Sequence, residues 1–181
     1  MANTAKKNFP LAKVYSLLES GPVVMVSTLY KGQPDVMSMS WHTMIDFEPP
    51  LIGCVIGEQS QTFVALKTTK QCVLNIPTVK LIEKMVACGN VSGRAVDKFA
   101  QFKLTQLPAS LVEAPLIAEC YANIECKLVD AKLAKKYNFF ILEAVKAWID
   151  PMMLPAKTIH HLGKTSFMIA GRTVEVPSKM K

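Results

Sequence analysis

No apolar run in this 181-residue chain approaches the roughly 20 residues that a membrane-spanning helix needs. The longest, such as Val23 to Val26 and Phe139 to Leu142, break off far sooner. Met1 to Phe9 is polar and basic, with no apolar stretch of signal-peptide form behind it, so a cytoplasmic location and no membrane partner are expected. There is no G-x-G-x-x-G, which excludes the Rossmann dinucleotide fingerprint, and no P-loop. G-x-S-x-G is absent, which removes the hydrolase nucleophile elbow. H-E-x-x-H and C-x-x-C are missing as well, so no zinc site of known spacing is expected. Of the three histidines, His42, His160 and His161, the adjacent pair would face opposite ways on a strand and chelates one ion poorly.

Aromatic content is only 8%. A barrel that binds single-stranded nucleic acid needs exposed aromatics interleaved with a basic groove. The net charge of +7 does not supply one, because Lys6, Lys7, Lys179 and Lys181 lie in terminal segments without acids. The body is therefore mildly basic, which suits a small anionic ligand rather than nucleic acid. Cys54, Cys72, Cys88, Cys120 and Cys126 are odd in number and mostly have apolar neighbours. They read as buried free thiols in a reducing compartment. Against these shortages stands an apolar fraction of 50%, with mean hydropathy +0.24. That excess points to a buried subunit interface or an apolar cofactor bed.

The length fits one domain over residues 1–181, its core at about 10–171 and its basic termini flexible. A short helix is expected from Pro10 to Leu18, stopped by Gly21-Pro22. Val23 to Tyr30 and Val36 to Thr43 flank the turn Lys31 to Pro34 as a β-hairpin. Asp46 to Pro50 reads as an extended connection, and Leu51 to Ile56 and Cys72 to Ile76 as buried strands. Short helices are expected at Thr62 to Lys67, Leu81 to Ala87 and Val96 to Phe102. Ala118 to Leu128 alternates almost perfectly, which predicts a long antiparallel strand with Glu119, Tyr121, Asn123, Glu125 and Lys127 on a wet face. Asn138 to Ile149 returns, and Ser166 to Ile169 adds a last strand. Many strands with short helices between them, and no regular β-α-β alternation, predict a mainly β fold: a Greek-key-like antiparallel closed or split barrel.

Three segments can carry chemistry. In Val36-Met37-Ser38-Met39-Ser40-Trp41-His42, small hydroxyls alternate with large soft side chains. Such a strand suits a flat aromatic ligand with polar edges, and equally an ordinary half-buried strand. In Glu58-Gln59-Ser60-Gln61-Thr62-Phe63, hydroxyls open a helix whose N-terminus can hold phosphate, or Ser60 simply caps it. In Gly89 to Phe99, Arg94 and Lys98 are four apart and share one face of a helical turn, where together they could neutralise a phosphate. The same stretch also reads as a solvated loop in which Asp97 caps or pairs.

The stretch Ser92-Gly93-Arg94-Ala95-Val96-Asp97-Lys98-Phe99 resembles the S-G-x-x-x-D-K-F motif of the flavin reductase-like family, the group of flavoredoxins and their ferric-reductase relatives. Gly32 to Leu51, ending in Phe47-Glu48-Pro49-Pro50-Leu51, is similar to that family's hairpin followed by F-x-P-P-L. The order of elements agrees from about Pro22 to Ile149.

That resemblance implies an FMN-binding split β-barrel that forms a homodimer, with FMN near the dimer interface. Met37, Ser38, Met39, Ser40 and Trp41 would line the isoalloxazine. Ser60, Thr62 and Phe63 would hold the ribityl phosphate region, and Ser92, Arg94 and Lys98 would add hydrogen bonds and positive charge. His160 or His161 would fall where a C-terminal segment approaches the flavin. The implied activity is NAD(P)H-dependent reduction of flavin, ferric chelate or another acceptor, with electron transfer without efficient NAD(P)H turnover as the alternative. No protein residue is assigned as an acid–base catalyst. Asp35 stands where relatives often carry Asn, and His42 and Thr43 occupy positions that vary among relatives and would face the second substrate.

Overall fold

A computed structural model describes residues 6–14 and 21–178. Its elements in chain order begin with β1 (Lys7–Phe9), β2 (Val24–Tyr30), β3 (Gln33–Met39), β4 (His42–Phe47) and β5 (Pro50–Val55). Helix α1 (Gln61–Thr69), β6 (Gln71–Ile76), α2 (Ile82–Asn90) and α3 (Lys98–Gln101) follow. The second half holds β7 (Gln106–Leu107), β8 (Leu116–Ile117), β9 (Ala122–Asp130), α4 (Ala134–Tyr137), β10 (Phe139–Ile149), β11 (Ile159–Gly163) and β12 (Ser166–Ile169).

The main sheet is antiparallel and runs β3-β2-β6-β9-β10-β5-β4. Strand β10 explains how it splits. One edge pairs with β9 along most of its length, while the other is shared, Phe139–Glu143 with β5 and Ala147–Ile149 with β1. The outermost strands, β3 and β4, are joined only by Ser40-Trp41 and do not pair with each other. The fold is thus the mainly β, antiparallel split barrel that the strand pattern predicts.

Local chemistry accounts for the boundaries. Lys31 (φ 52°) and Gly32 (φ 74°) both have positive φ, the backbone of a two-residue hairpin turn that matches strand twist, so the turn ends before Gln33-Pro34. The expected strand Val36 to Thr43 breaks at Ser40-Trp41, and His42 and Thr43 begin β4. The Pro49-Pro50 stretch is not an extended connection but the tight corner between β4 and β5, with Phe47 opposite Pro50. Of the helix expected at Pro10 to Leu18, Leu11–Lys13 forms one 3-10 turn, and residues 15–20 lie outside the described residues.

The barrel interior is packed by Val24, Val26, Leu74, Ile124, Phe140 and Leu142. On the outer face of β2 and β3, Met25 and Val36 pack against Met85, Cys88 and Phe99 of the helical segment. Central strands buried on both faces carry continuous apolar runs, as seen here.

The wet face expected on Ala118 to Leu128 is a correction. Strand β9 starts only at Ala122, and Asn123 and Glu125 are wholly buried. Residues 105–117 fold over this face, with Val112, Ala114 and Leu116 packed on Val73. Buried polar groups must find partners. The Glu125 carboxylate accepts from Ser110 N (2.9 Å), Leu111 N (2.6 Å) and Trp148 Nε1 (2.7 Å). Asn123 donates to Asn75 Oδ1 at 2.7 Å and to Ile117 O at 3.0 Å. Asn123 and Glu125 thus serve an internal network rather than solvent, while Lys127 on the same alternation stays exposed.

Among the described residues no helix is long and apolar enough to cross a membrane. All five cysteines are free and buried.

Candidate functional site

The sheet brings the three chemistry-bearing segments together. A cleft of about 370 Å³ is walled by Asp35, Met37 and Ser38 of β3, by Gln59 to Thr62 at the start of α1, and by Cys88 to Gly93 with Lys98 from α2 to α3. That size suits a small-molecule site. A second cleft of about 240 Å³ shares Ser38, Gly89 and Asn90 with the first and continues past Met39 and Ser40 to His161, Lys164 and Phe167.

The α1 wall is built by capping. Ser60 Oγ accepts from Phe63 N at 3.1 Å and donates to Gly57 O at 2.8 Å. Ser60 is therefore occupied in shaping the helix N-terminus. Thr62 in the first turn is wholly buried, and its Oγ1 has no hydrogen-bond partner. An unsatisfied buried hydroxyl is costly. Here it lines a cleft at a positive helix end, where an anionic oxygen would satisfy it.

The β3 wall is tied to α2 by Ser38 Oγ, which donates to Met85 O at 2.5 Å. Lys98 Nζ donates to Val36 O at 2.7 Å and lies 3.4 Å from Asp35 Oδ1. Asp97 caps α3 by accepting from Ala100 N at 3.0 Å. Burial pushes the Cys88 thiol up to about 11, against the opposing pull of nearby Lys98.

Of the residues picked from sequence, Met37, Ser38, Ser60, Thr62, Ser92 and Lys98 line the first cleft, and Met39 and Ser40 the second. Three do not join them. Trp41 is 71% exposed, beyond the end of β3. Phe63 packs into the barrel core, edge-on to Phe140 with ring centroids 5.2 Å apart. Arg94 is exposed in the turn Ser92–Ala95, and helix begins only at Lys98, so the shared helical face expected for Arg94 and Lys98 does not form. Asp97 as N-cap starts the helix too late to include Arg94. Of the tail histidines, His161 reaches the second cleft, whereas His160 is buried beside Thr158 Oγ1 (2.9 Å).

Sequence reasoning missed Asp35 as the partner of Lys98, and it missed Cys88 and Asn90 in the cleft wall. The one available signal was Asp35 itself, a lone acid in an otherwise acid-free strand. His42 escapes the site too: its Nε2–H donates to Pro22 O at 2.7 Å, and burial holds the imidazole below its ordinary value of 6.5.

Comparison with known proteins agrees with this fold. An FMN-binding domain of a flavin reductases-like enzyme from Shewanella baltica has the same fold, with TM-score 0.89 at 25% identity, covering 95% of this chain and 97% of that one. The flavoredoxin of Desulfovibrio vulgaris (Miyazaki F) is similar in fold, with TM-score 0.79 at 21% identity and coverage of 88% and 91%. An uncharacterised protein of Archaeoglobus fulgidus is 31% identical over 111 residues, 61% of this chain and 63% of that protein, so the chain matches less than two thirds of that relative's length. The sequence pattern of the flavin reductase like domain matches residues 17–166, a span that includes β3, the start of α1 and the loop from α2 to α3, and the chain therefore belongs to the flavin reductase-like domain family.

Proposed function

We propose that this chain, as a single cytoplasmic domain, binds FMN in the paired clefts and acts as an oxidoreductase, passing electrons from NAD(P)H to flavin, ferric chelate or another acceptor. The observation that carries the reading is Thr62: a buried hydroxyl without a partner, at a helix N-terminus, in a cleft walled by three separate segments. Those residues fit a phosphorylated flavin. When bound, FMN supplies hydride and single-electron chemistry that no side chain has.

The chain's own groups position and select. Thr62 donates to the phosphate end. Ser38 donates its hydroxyl hydrogen bond to Met85 O, so its oxygen is left to accept from a ring N–H. Ser40 and Met39 flank the ring bed, with Met37 on its inner side. Ser92 accepts from Arg94 N at 3.2 Å and keeps its own hydroxyl hydrogen for the ligand. Exposed Arg94 contributes at most a screened charge.

The nicotinamide donor is assigned to the His161, Lys164 and Phe167 side of the second cleft, beside the ring bed at Met39 and Ser40. There the His161 and Phe167 rings lie 5.2 Å apart and Lys164 offers a cation. The chain is assigned a homodimeric state. Trp41, Ile45 and Phe47, all exposed at or beside the edge strand β4, give it an apolar surface to bury.

The test is to titrate FMN into the purified full-length protein by calorimetry and follow the visible flavin spectrum. Binding with heat and a perturbed spectrum is expected, and no heat would end the reading. Steady-state oxidation of NADH or NADPH with added flavin or ferric chelate checks the donor. Tight FMN binding without turnover would make the chain an electron carrier instead.

A further inference from the structure

Among the described residues that line the first cleft, Asp35 and Lys98 are the acidic and basic side chains. They face each other at 3.4 Å, and each side chain is only 4% exposed. Lys98 Nζ is further held by Val36 O at 2.7 Å. Cys88, the other titratable group in the wall, is a neutral thiol because burial raises it. The inner cleft therefore has no net charge. Arg94, in the same loop as Ser92 and Gly93, is exposed and outside the wall.

Asp35 adds a second observation. Its Oδ1 is buried and accepts no hydrogen bond, although Lys98 is near. The carboxylate cannot swing away easily, since Gly93 lies directly against it. A buried carboxylate oxygen with an open lone pair is satisfied by a neutral donor such as a hydroxyl, and it repels a phosphate.

Building on the FMN reading above, we infer that Asp35 is the specificity-determining residue of the cleft: it cancels Lys98 and reads the polyol hydroxyls of a flavin, so that recognition rests on the ribityl chain more than on phosphate charge. Phosphate is left to neutral donors at the α1 N-terminus. The ligand class is then free flavins, riboflavin included. A single hydroxyl and a helix N-terminus together favour FMN over riboflavin by at most about a hundredfold. A free buried ammonium on the phosphate would add a further factor of about ten to a hundred.

The experiment is calorimetric titration of the full chain with FMN and with riboflavin, which differ only by the phosphate. The wild type is expected to bind both, with a ratio of affinities below about a hundredfold. In Asp35→Asn the positive charge of Lys98 is no longer cancelled and the ratio should rise at least about tenfold. In Asp35→Asn with Lys98→Met the cleft is neutral again and the ratio should return to near the wild-type value. A wild-type ratio above about a hundredfold, or a double variant whose ratio collapses toward one, would show that Lys98 grips the phosphate and would overturn the inference. The wild-type measurement stands even if a variant fails to fold. If neither flavin binds, the FMN reading itself falls and takes this inference with it; if both bind but the ratios fail, only the role of Asp35 is lost.

Discussion

Gly93 lies so close to Asp35 that a Cβ on it would sit 2.1 Å from Oδ1 and 2.2 Å from Cγ of the carboxylate. The glycine of the Ser-Gly-Arg stretch is therefore needed for close approach, and that approach seals the loop between α2 and α3 onto β3. Gly93→Ala should destabilise the protein by about 1–3 kcal/mol in urea denaturation, the usual cost of overpacking. The same change in an Asp35→Ala background should cost less, because the overlapping atoms are gone. Equal costs in the two backgrounds would disconnect the residues.

Thr62→Val should separate stability from binding. The hydroxyl has no partner in the fold, so replacing it by a methyl of similar shape should leave the urea midpoint unchanged or raised by up to about 2 kcal/mol of stability. FMN affinity should fall about tenfold. A variant that loses stability while binding FMN as before would assign Thr62 to the core.

Glu125 holds down the segment that covers β9. Glu125→Ala orphans Ser110 N, Leu111 N and Trp148 Nε1 and should cost about 3–5 kcal/mol. Hydrogen exchange should show amides in residues 105–117 losing protection first. A cost under about 1 kcal/mol would mean that the cover holds by apolar packing alone.

His42 gives the fold an acid-sensitive point. Its Nε2–H is bonded to Pro22 O, its Nδ1 is buried without a partner, and burial lowers its pKa from 6.5. The unfolded chain takes up this proton near 6.5 while the folded chain resists it. The unfolded state thus binds more protons below that value, and stability falls as pH drops through 6.5 toward the lowered folded value. Urea midpoints should decline between about pH 7.5 and about pH 5.5. His42→Asn should flatten that slope, and an unchanged slope in the variant would place the sensitivity elsewhere.

Much of the candidate site was legible before any folding was considered. Capping is a matter of three residues, so Ser60 announces its helix, and the hydroxyl and methionine alternation of β3 follows from a strand's period of two. Where the reading went astray, either a cap fell inside the motif or the partner was distant. Arg94 and Lys98 suit a shared helical face by spacing, but the cap at Asp97 starts the helix after Arg94. Glu125 looks like a solvent-facing position until residues 105–117 fold over it.

The sequence by itself determined the mainly β character, most of the long strands and helices between Val24 and Ile149, and which three segments bear hydroxyls, glycines and cations, because each depends on interactions within a few residues. Only the tertiary structure decided what those groups do. Sheet pairing sets β3 beside a loop some sixty residues away, and there Lys98 meets Asp35 instead of standing free, and Thr62 is buried with its hydroxyl unmatched. The net charge of a cleft is a sum over segments that chain order keeps apart, so it exists only once the sheet and its helices have packed together.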